Sequence, residues 1–262
     1  MADDVLVAVE RWRRGAPALA EEIAEAWDLT LGAAYAPGFC GHVVRAELPD
    51  GTPGVLKVFF PDHESFQEPD ALERWDGDGA IRLLRRNDER CAVLLERCEP
   101  GTLLSSVGGE RALDVLIELL PRLWKSADGF HTLEDEVERW IEHDGLGGGT
   151  AGLARELARS QGEQVLLHQD LHGDNVLSAT REPWLVIDPN PLAGEREFAV
   201  APIVRSPELG HSRRDVLRRL DRLCAELGLD RERARGWTIV QTLAWSEGNT
   251  VREHLEVVEW LR

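Results

Sequence analysis

Over residues 3–14 and 18–28, apolar and charged positions recur at the three-to-four-residue spacing of amphipathic helices. Asp3 stands where it can cap the first, and Pro17 where it can open the second, because a first helical turn leaves its N–H groups unused. The pattern changes over residues 29–48, where short apolar runs flank a turn in PGFCGHVVRAEL. PDGTPG at 49–54 supplies hairpin-turn chemistry, and VLKVFF at 55–60, β-branched and aromatic, predicts a strand. Residues 64–75 predict a helix with Pro69 near its start, 80–86 a short helix or extended piece, and CAVLLE at 91–96 a further strand.

CEPGTLLSS at 98–106 is a turn-rich crossing point. Helical periodicity follows over 109–126, 133–143 and 150–162, with a glycine run from Gly147 to Gly149 separating the last two. NVLSA and WLVID, joined through TREP, read as a β-hairpin. Helices at 213–227, 231–247 and 250–261 complete the chain. The expectation is an α+β protein: a small antiparallel β lobe with one inserted helix over 1–97, then a larger, mainly helical lobe over 98–262.

Composition narrows the partners. The 262 residues are 43% hydrophobic and 30% charged, as expected of a globular protein. With a net charge of −18 and no Lys/Arg block, nucleic acid and anionic membrane surfaces are excluded as expected partners. Carboxylates lining a cleft would instead attract a cationic small molecule; the same excess also serves solubility. Cys40, Cys91, Cys98 and Cys224 contain no CxxC spacing, against a disulfide framework or structural zinc. The acidic N-terminus and the lack of a span-length apolar run make a cytoplasmic location the expectation.

The densest chemistry lies in HQDLHGDN, with His168, Asp170, His172, Asp174 and Asn175, followed by Asp188 at the end of the next apolar run. If the two runs pair, the hairpin returns Asp188 beside Asp170 and Asn175. Phosphoryl transfer needs a carboxylate to deprotonate the attacking hydroxyl, hard oxygen ligands for Mg²⁺, and a cation on the nucleotide's phosphates. Asp170 suits the first role, Asn175 and Asp188 the second, and Lys57 of the VLKVFF strand the third. Glu68 is the carboxylate expected to hold Lys57, with Glu64 and Glu73 as rivals. Lys57 on an edge strand would merely face solvent, and Asp188 could merely cap a turn. Alternatively, His168, Asp170, His172 and Asp174 could bind zinc or a metal pair for hydrolysis, a reading that leaves Lys57, Asn175 and Asp188 without roles. Gly38 and Gly41 could form a phosphate-covering turn or a plain hairpin turn; there is no Walker GKS or GKT.

Together PGFCGHVV, VLKV, EPDALERWDGDGAIRLL, LLERCEPGTLL, HQDLHGDNVL and WLVIDPNPLAGEREF resemble the aminoglycoside/hydroxyurea antibiotic-resistance kinases, from about Ala26 to the C-terminus. The resemblance implies a two-lobed, protein-kinase-like (aminoglycoside phosphotransferase-like) fold, with ATP and Mg²⁺ as cofactors. It implies an O-phosphotransferase acting on a small-molecule hydroxyl, such as that of streptomycin, or on hydroxyurea; a housekeeping amino-sugar or polyol kinase and a non-catalytic nucleotide-binding regulator are the alternatives. By the same resemblance, Asp170 would be the base, Asn175 and Asp188 the metal ligands, Lys57 and Glu68 the phosphate-holding pair, and the segment from Glu96 to Cys98 the adenine hinge. The acceptor would lie near residues 133–144 and the C-terminal helices. There Glu134, Glu138 and Glu142, at helical spacing, could wall a cationic acceptor or be an ordinary solvated face, and Trp140 could pack in the core or stack on a guanidinium. Gln169, Asn190 and Ala199 stand where the family usually has glycine, lysine and aspartate.

Overall fold

The computed structural model describes residues 2–36, 40–61, 66–246 and 251–262. The chain divides into two compact units, Met1–Gly101 and Thr102–Arg262; hydropathy had suggested a division after residue 97.

The first unit opens with one helix, α1 (Ala2–Trp27), that runs through Pro17, where the sequence predicted two. The reason is packing. Ala16, Ala20, Ile23 and Ala24 keep one apolar stripe in phase past the proline and share a core with Val44, Ala46, Leu56, Val58, Ala92 and Leu94. Each large aliphatic side chain so buried contributes about 1.5–3 kcal/mol, enough together to outweigh the ~3 kcal/mol of an internal proline.

That core lies on a five-stranded antiparallel sheet of β1 (Thr30–Ala34), β2 (Gly41–Glu47), β3 (Pro53–Phe59), β4 (Leu83–Asn87) and β5 (Ala92–Glu96). The order is β1-β2-β3-β5-β4, which makes β3 the central strand. Side chains alternate faces along a strand, so Leu56 and Val58 point into the α1 core and Lys57 points to the other side. There α2 (Glu68–Trp75), with Pro69 in its first turn, buries Glu68, Ala71, Leu72 and Trp75. Of the ambiguous stretch at 80–86, the part from Leu83 on is strand, because it completes the ladder on β5.

The second unit contains α3 (Gly109–Leu123), α4 (Leu133–Glu142), α5 (Gly148–Arg159), α6 (Ala201–Arg205), α7 (Arg213–Leu227), α8 (Arg231–Ala244) and α9 (Arg252–Leu261). Helix α5 begins inside the glycine run that was expected to stand outside it. Helix α8 is the spine. Trp237 meets Phe198 edge-on at 5.3 Å, and Phe198 stacks on Trp140 at 6.2 Å; Trp140 is a core residue. Two small antiparallel pairs carry the loops: β7 (Val176–Ser178) with β8 (Trp184–Val186), as predicted, and β6 (Gln164–Leu167) with β9 (Leu192–Glu195), which local periodicity did not reveal. Strands β6 and β9 therefore bracket the predicted hairpin and fix both of its ends. Buried Glu195 of β9 locks the bracket to α8 through a two-nitrogen bridge from Arg233 and a bond from the Trp237 indole N–H.

Candidate active site

In the first unit the Lys57 Nζ donates to Glu68 Oε2 at 2.6 Å, and the two residues are only 8% and 1% exposed. An edge-strand, solvent-facing lysine is thereby ruled out. The rival Glu73 instead bridges Arg86; the other rival, Glu64, and Gly38 lie outside the described residues. Gly41 lies over the lysine: a Cβ there would come within 3.4 Å of Lys57 Cε. Strand β5 ends at Glu96, whose carboxylate accepts the Arg82 N–H at 3.0 Å, so this side chain ties the sheet edge while the main chain runs on through Cys98.

In the second unit the HQDLHGDN loop is built around His168. Its Nε2–H donates to the Ile187 carbonyl at 2.9 Å, and its Nδ1 accepts the Asp170 N–H at 3.3 Å. Burial holds the imidazole below its ordinary pKa, hence neutral. Its carbonyl accepts from the N–H groups of both Asp170 and Asn190. His168 thus braces the two strand exits together. With both ring nitrogens occupied it is unsuited to bind metal, and no His/Cys/Asp/Glu cluster of metal-binding geometry occurs among the described residues. The zinc-hydrolase reading falls with it.

Asp170 and Asn175 come together as expected. Asn175 Nδ2 donates to the Asp170 carbonyl at 2.8 Å and lies 3.3 Å from its Oδ2. The Ile187 N–H donates to the Asn175 carbonyl at 3.0 Å, which brings Asp188 next to Asn175 across the mouth of the β7–β8 hairpin. Asp188 is exposed, in a left-handed conformation (φ 56°). The donor set fits a hard cation: the Asn175 amide, having spent its N–H bonds on Asp170, presents its oxygen, and Asp188 adds a carboxylate. His172 lies 3.6 Å from Asp170 and 3.8 Å from Glu208. Burial opposes its charge, but these acids hold its pKa above the ordinary value. Glu208 also accepts the Gly173 N–H at 3.1 Å. A Cβ at Gly173 would press to 3.0 Å on the Ser105 backbone, so this turn requires glycine.

The sequence singled out Gln169 but missed the residues around it, Glu136, Gln241 and Arg205. Gln169 holds a left-handed backbone (φ 65°) that glycine would adopt without strain. It is anchored there by its Nε2 bond to buried Glu136 at 3.3 Å and by the Gln241 amide on its carbonyl at 2.8 Å. Glu136 is in turn gripped by Arg139 and His131. Arg205 approaches Asp170 Oδ1 at 3.4 Å. The available signals were an arginine closing the apolar run FAVAPIVR and a glutamine inside WTIVQTLAW. Ala199, buried, offers no brace; Gln241 and Arg205 hold the loop.

Of the three carboxylates offered for an acceptor wall, one is already paired. Glu138 is held by Arg155 through both oxygens, at 2.8 and 2.5 Å, because it faces α5. That bonding holds its pKa down and neutralises its charge locally. Glu134 and Glu142 stay exposed on α4. The second unit also contains a cavity of about 570 Å³ lined by residues including Asp144, Leu146, Thr150, Leu243, Ser246 and Glu259.

An antiparallel sheet bearing a buried Lys–Glu pair, followed by a helical unit with an HxDxxxxN loop and a strand-end Asp, defines a kinase-like phosphotransferase. The solved choline kinase LicA of Streptococcus pneumoniae shares the fold, with a TM-score of 0.68, 14% identity and 94% and 98% of the two chains covered. Residues 26–249 match the aminoglycoside/hydroxyurea antibiotic resistance kinase model, and the chain belongs to that family. It is 36% identical to a streptomycin 6-kinase of Streptomyces griseus, covering 88% of this chain and 82% of that one. It is also 36% identical to a hydroxyurea phosphotransferase of Kitasatospora aureofaciens, covering 88% and 73%. No described helix is long and apolar enough to cross a membrane.

Proposed function

We propose that this chain transfers the γ-phosphoryl group of ATP to a hydroxyl of streptomycin or a similar cationic aminocyclitol. The observation that carries the reading is the Asp170 carboxylate, held by Asn175 beside Asp188, in a chain 36% identical to a streptomycin 6-kinase. Asp170 accepts the proton as the acceptor oxygen attacks the γ-phosphorus; the bond to the bridging oxygen breaks and ADP departs with the electron pair. Lys57, steered by Glu68, steadies the α- and β-phosphates, and the main chain from Glu96 to Cys98 meets the adenine. Asn175 and Asp188 would hold Mg²⁺, which when bound offsets the phosphates' negative charge. The two guanidinium groups of streptomycin call for carboxylates; on the second unit's cavity Glu259 supplies one, whereas Asp144, like Glu138, is already paired with an arginine.

The test is mass spectrometry of streptomycin after incubation with ATP, Mg²⁺ and the protein, with hydroxyurea in parallel. One added phosphoryl group on streptomycin is expected. Modification of hydroxyurea alone moves the substrate to the second relative's class, and modification of neither overturns the acceptor assignment.

Asp188→Ala should weaken nucleotide binding in the presence of Mg²⁺ by at least the ~10-fold typical of a weakened metal shell, while Asp170→Asn leaves it nearly unchanged. Calorimetric titrations of nucleotide with and without Mg²⁺ check this; equal affinities for the two variants contradict the assignments.

A further inference from the structure

Arg205, the last residue of α6, is 8% exposed. A charge that is expensive to bury persists only where its partners are well placed. Three groups surround this one. Nη1 donates to Gln241 Oε1 at 2.9 Å, the guanidinium lies over the Trp245 ring at 4.6 Å from its centroid, and Nη2 faces Asp170 Oδ1 at 3.4 Å. Burial lowers the pKa of Arg205 to about 10 against the pull of Asp170 and Glu208, so it stays charged at neutral pH.

Gln241 uses its other end on the same loop, donating to the Gln169 carbonyl at 2.8 Å. Helix α8 therefore grips residue 169 by its main chain and residue 170 by its side chain, the latter through Arg205. Both Asp170 oxygens are then addressed: Oδ2 by Asn175 at 3.3 Å and Oδ1 by Arg205. The Arg205 contact is longer than the roughly 2.7–2.9 Å of a strong charge-assisted bond. A long contact orients the carboxylate while leaving its lone pairs available to a proton; a short one would weaken it as a base.

We infer that Arg205, clamped by Gln241 and Trp245, is a positioning residue that fixes the Asp170 carboxylate in the orientation needed to take the acceptor's proton. The inference rests on Asp170 being the base. Arg205→Met removes the charge and the fork at similar length, and Arg205→Lys keeps the charge but cannot serve Gln241 and Asp170 together.

Steady-state kinetics, nucleotide titration and thermal unfolding are measured on the full chain. Turnover of Arg205→Met should fall on the order of 100-fold, as for a misplaced catalytic group. KM for ATP and acceptor should stay within about threefold, the signature of a contribution made at the transition state. Arg205→Lys should recover roughly tenfold of the loss, since it restores the charge without the fork. In a thermal cycle with Asp170→Asn, the double variant should lose less Tm than the two single losses added, because each single change leaves the other charge without its partner, Arg205 buried and Asp170 half-buried. If Arg205→Met fails to fold, Arg205→Lys and Gln241→Leu carry the kinetic test, each expected to lower kcat with KM unchanged.

Turnover of these variants within about twofold of the parent, or kcat, KM and nucleotide affinity degraded together, overturns the inference. Additive Tm losses overturn it as well. If the parent phosphorylates no acceptor, the proposed function fails on its own, and the thermal cycle still decides whether Arg205 and Asp170 are coupled.

Discussion

Replacing Asp170 by asparagine is expected to lower phosphoryl transfer by a factor on the order of 10²–10⁴, the range contributed by a positioned general base. The substitution is isosteric, so the bond from Asn175 Nδ2 to the residue-170 carbonyl, made to the main chain, survives. The backbone turn set by His168 survives for the same reason. What disappears is the group that takes the hydroxyl proton. ATP affinity should therefore remain close to that of the parent while product formation collapses. A coupled ADP-release assay with acceptor, beside nucleotide titration, separates the two. Retention of about a third or more of the parent turnover would be incompatible with a base worth 10²-fold or more, and would return Asp170 to a structural role.

Glu68→Ala should produce the largest loss of stability. Glu68 is 1% exposed and accepts from Lys57 Nζ at 2.6 Å within the packed face between β3 and α2. Removing one partner of a buried ion pair costs about 3–5 kcal/mol, mostly because the remaining charge loses its compensation. The same change releases the lysine from the position in which it would meet the phosphates, so nucleotide affinity should fall with stability. Urea unfolding followed by tryptophan fluorescence is suitable, since Trp75 is buried on α2 itself. Lys57→Met in the Glu68→Ala background should recover part of the stability but none of the nucleotide affinity. A Glu68→Ala protein with an unchanged urea midpoint would show that the pair carries no net stabilisation.

Much of this arrangement was legible locally. VLKVFF announces a strand and places Lys57 on the face opposite Leu56 and Val58, because side chains alternate with period two. HQDLHGDN concentrates Asp170 and Asn175 within one turn, and the apolar runs on either side of TREP specify the hairpin that returns Asp188. That Lys57 meets a carboxylate of the following helix was expected, with Glu68 chosen over Glu64 and Glu73; the structure shows the pair with Glu68, eleven residues on. Such signals survive in a sequence because they depend on neighbours a few residues away.

Other features have no local signature. Pro17 reads as a helix start until the α1 stripe is seen packed on the sheet. Glu138 reads as a candidate ligand until α5 brings Arg155 against it. Arg205 lies 35 residues from Asp170 and Gln241 lies 72 from Gln169, distances at which spacing carries no information. By itself the sequence determined the α+β character, the strand bearing Lys57, and the loop and hairpin bearing Asp170, Asn175 and Asp188, since periodicity and turn chemistry act over short range. Only the tertiary structure decided which charges are buried, which carboxylates are already paired and which side chains reach Asp170, because burial and desolvation arise from segments that meet only once the chain has folded.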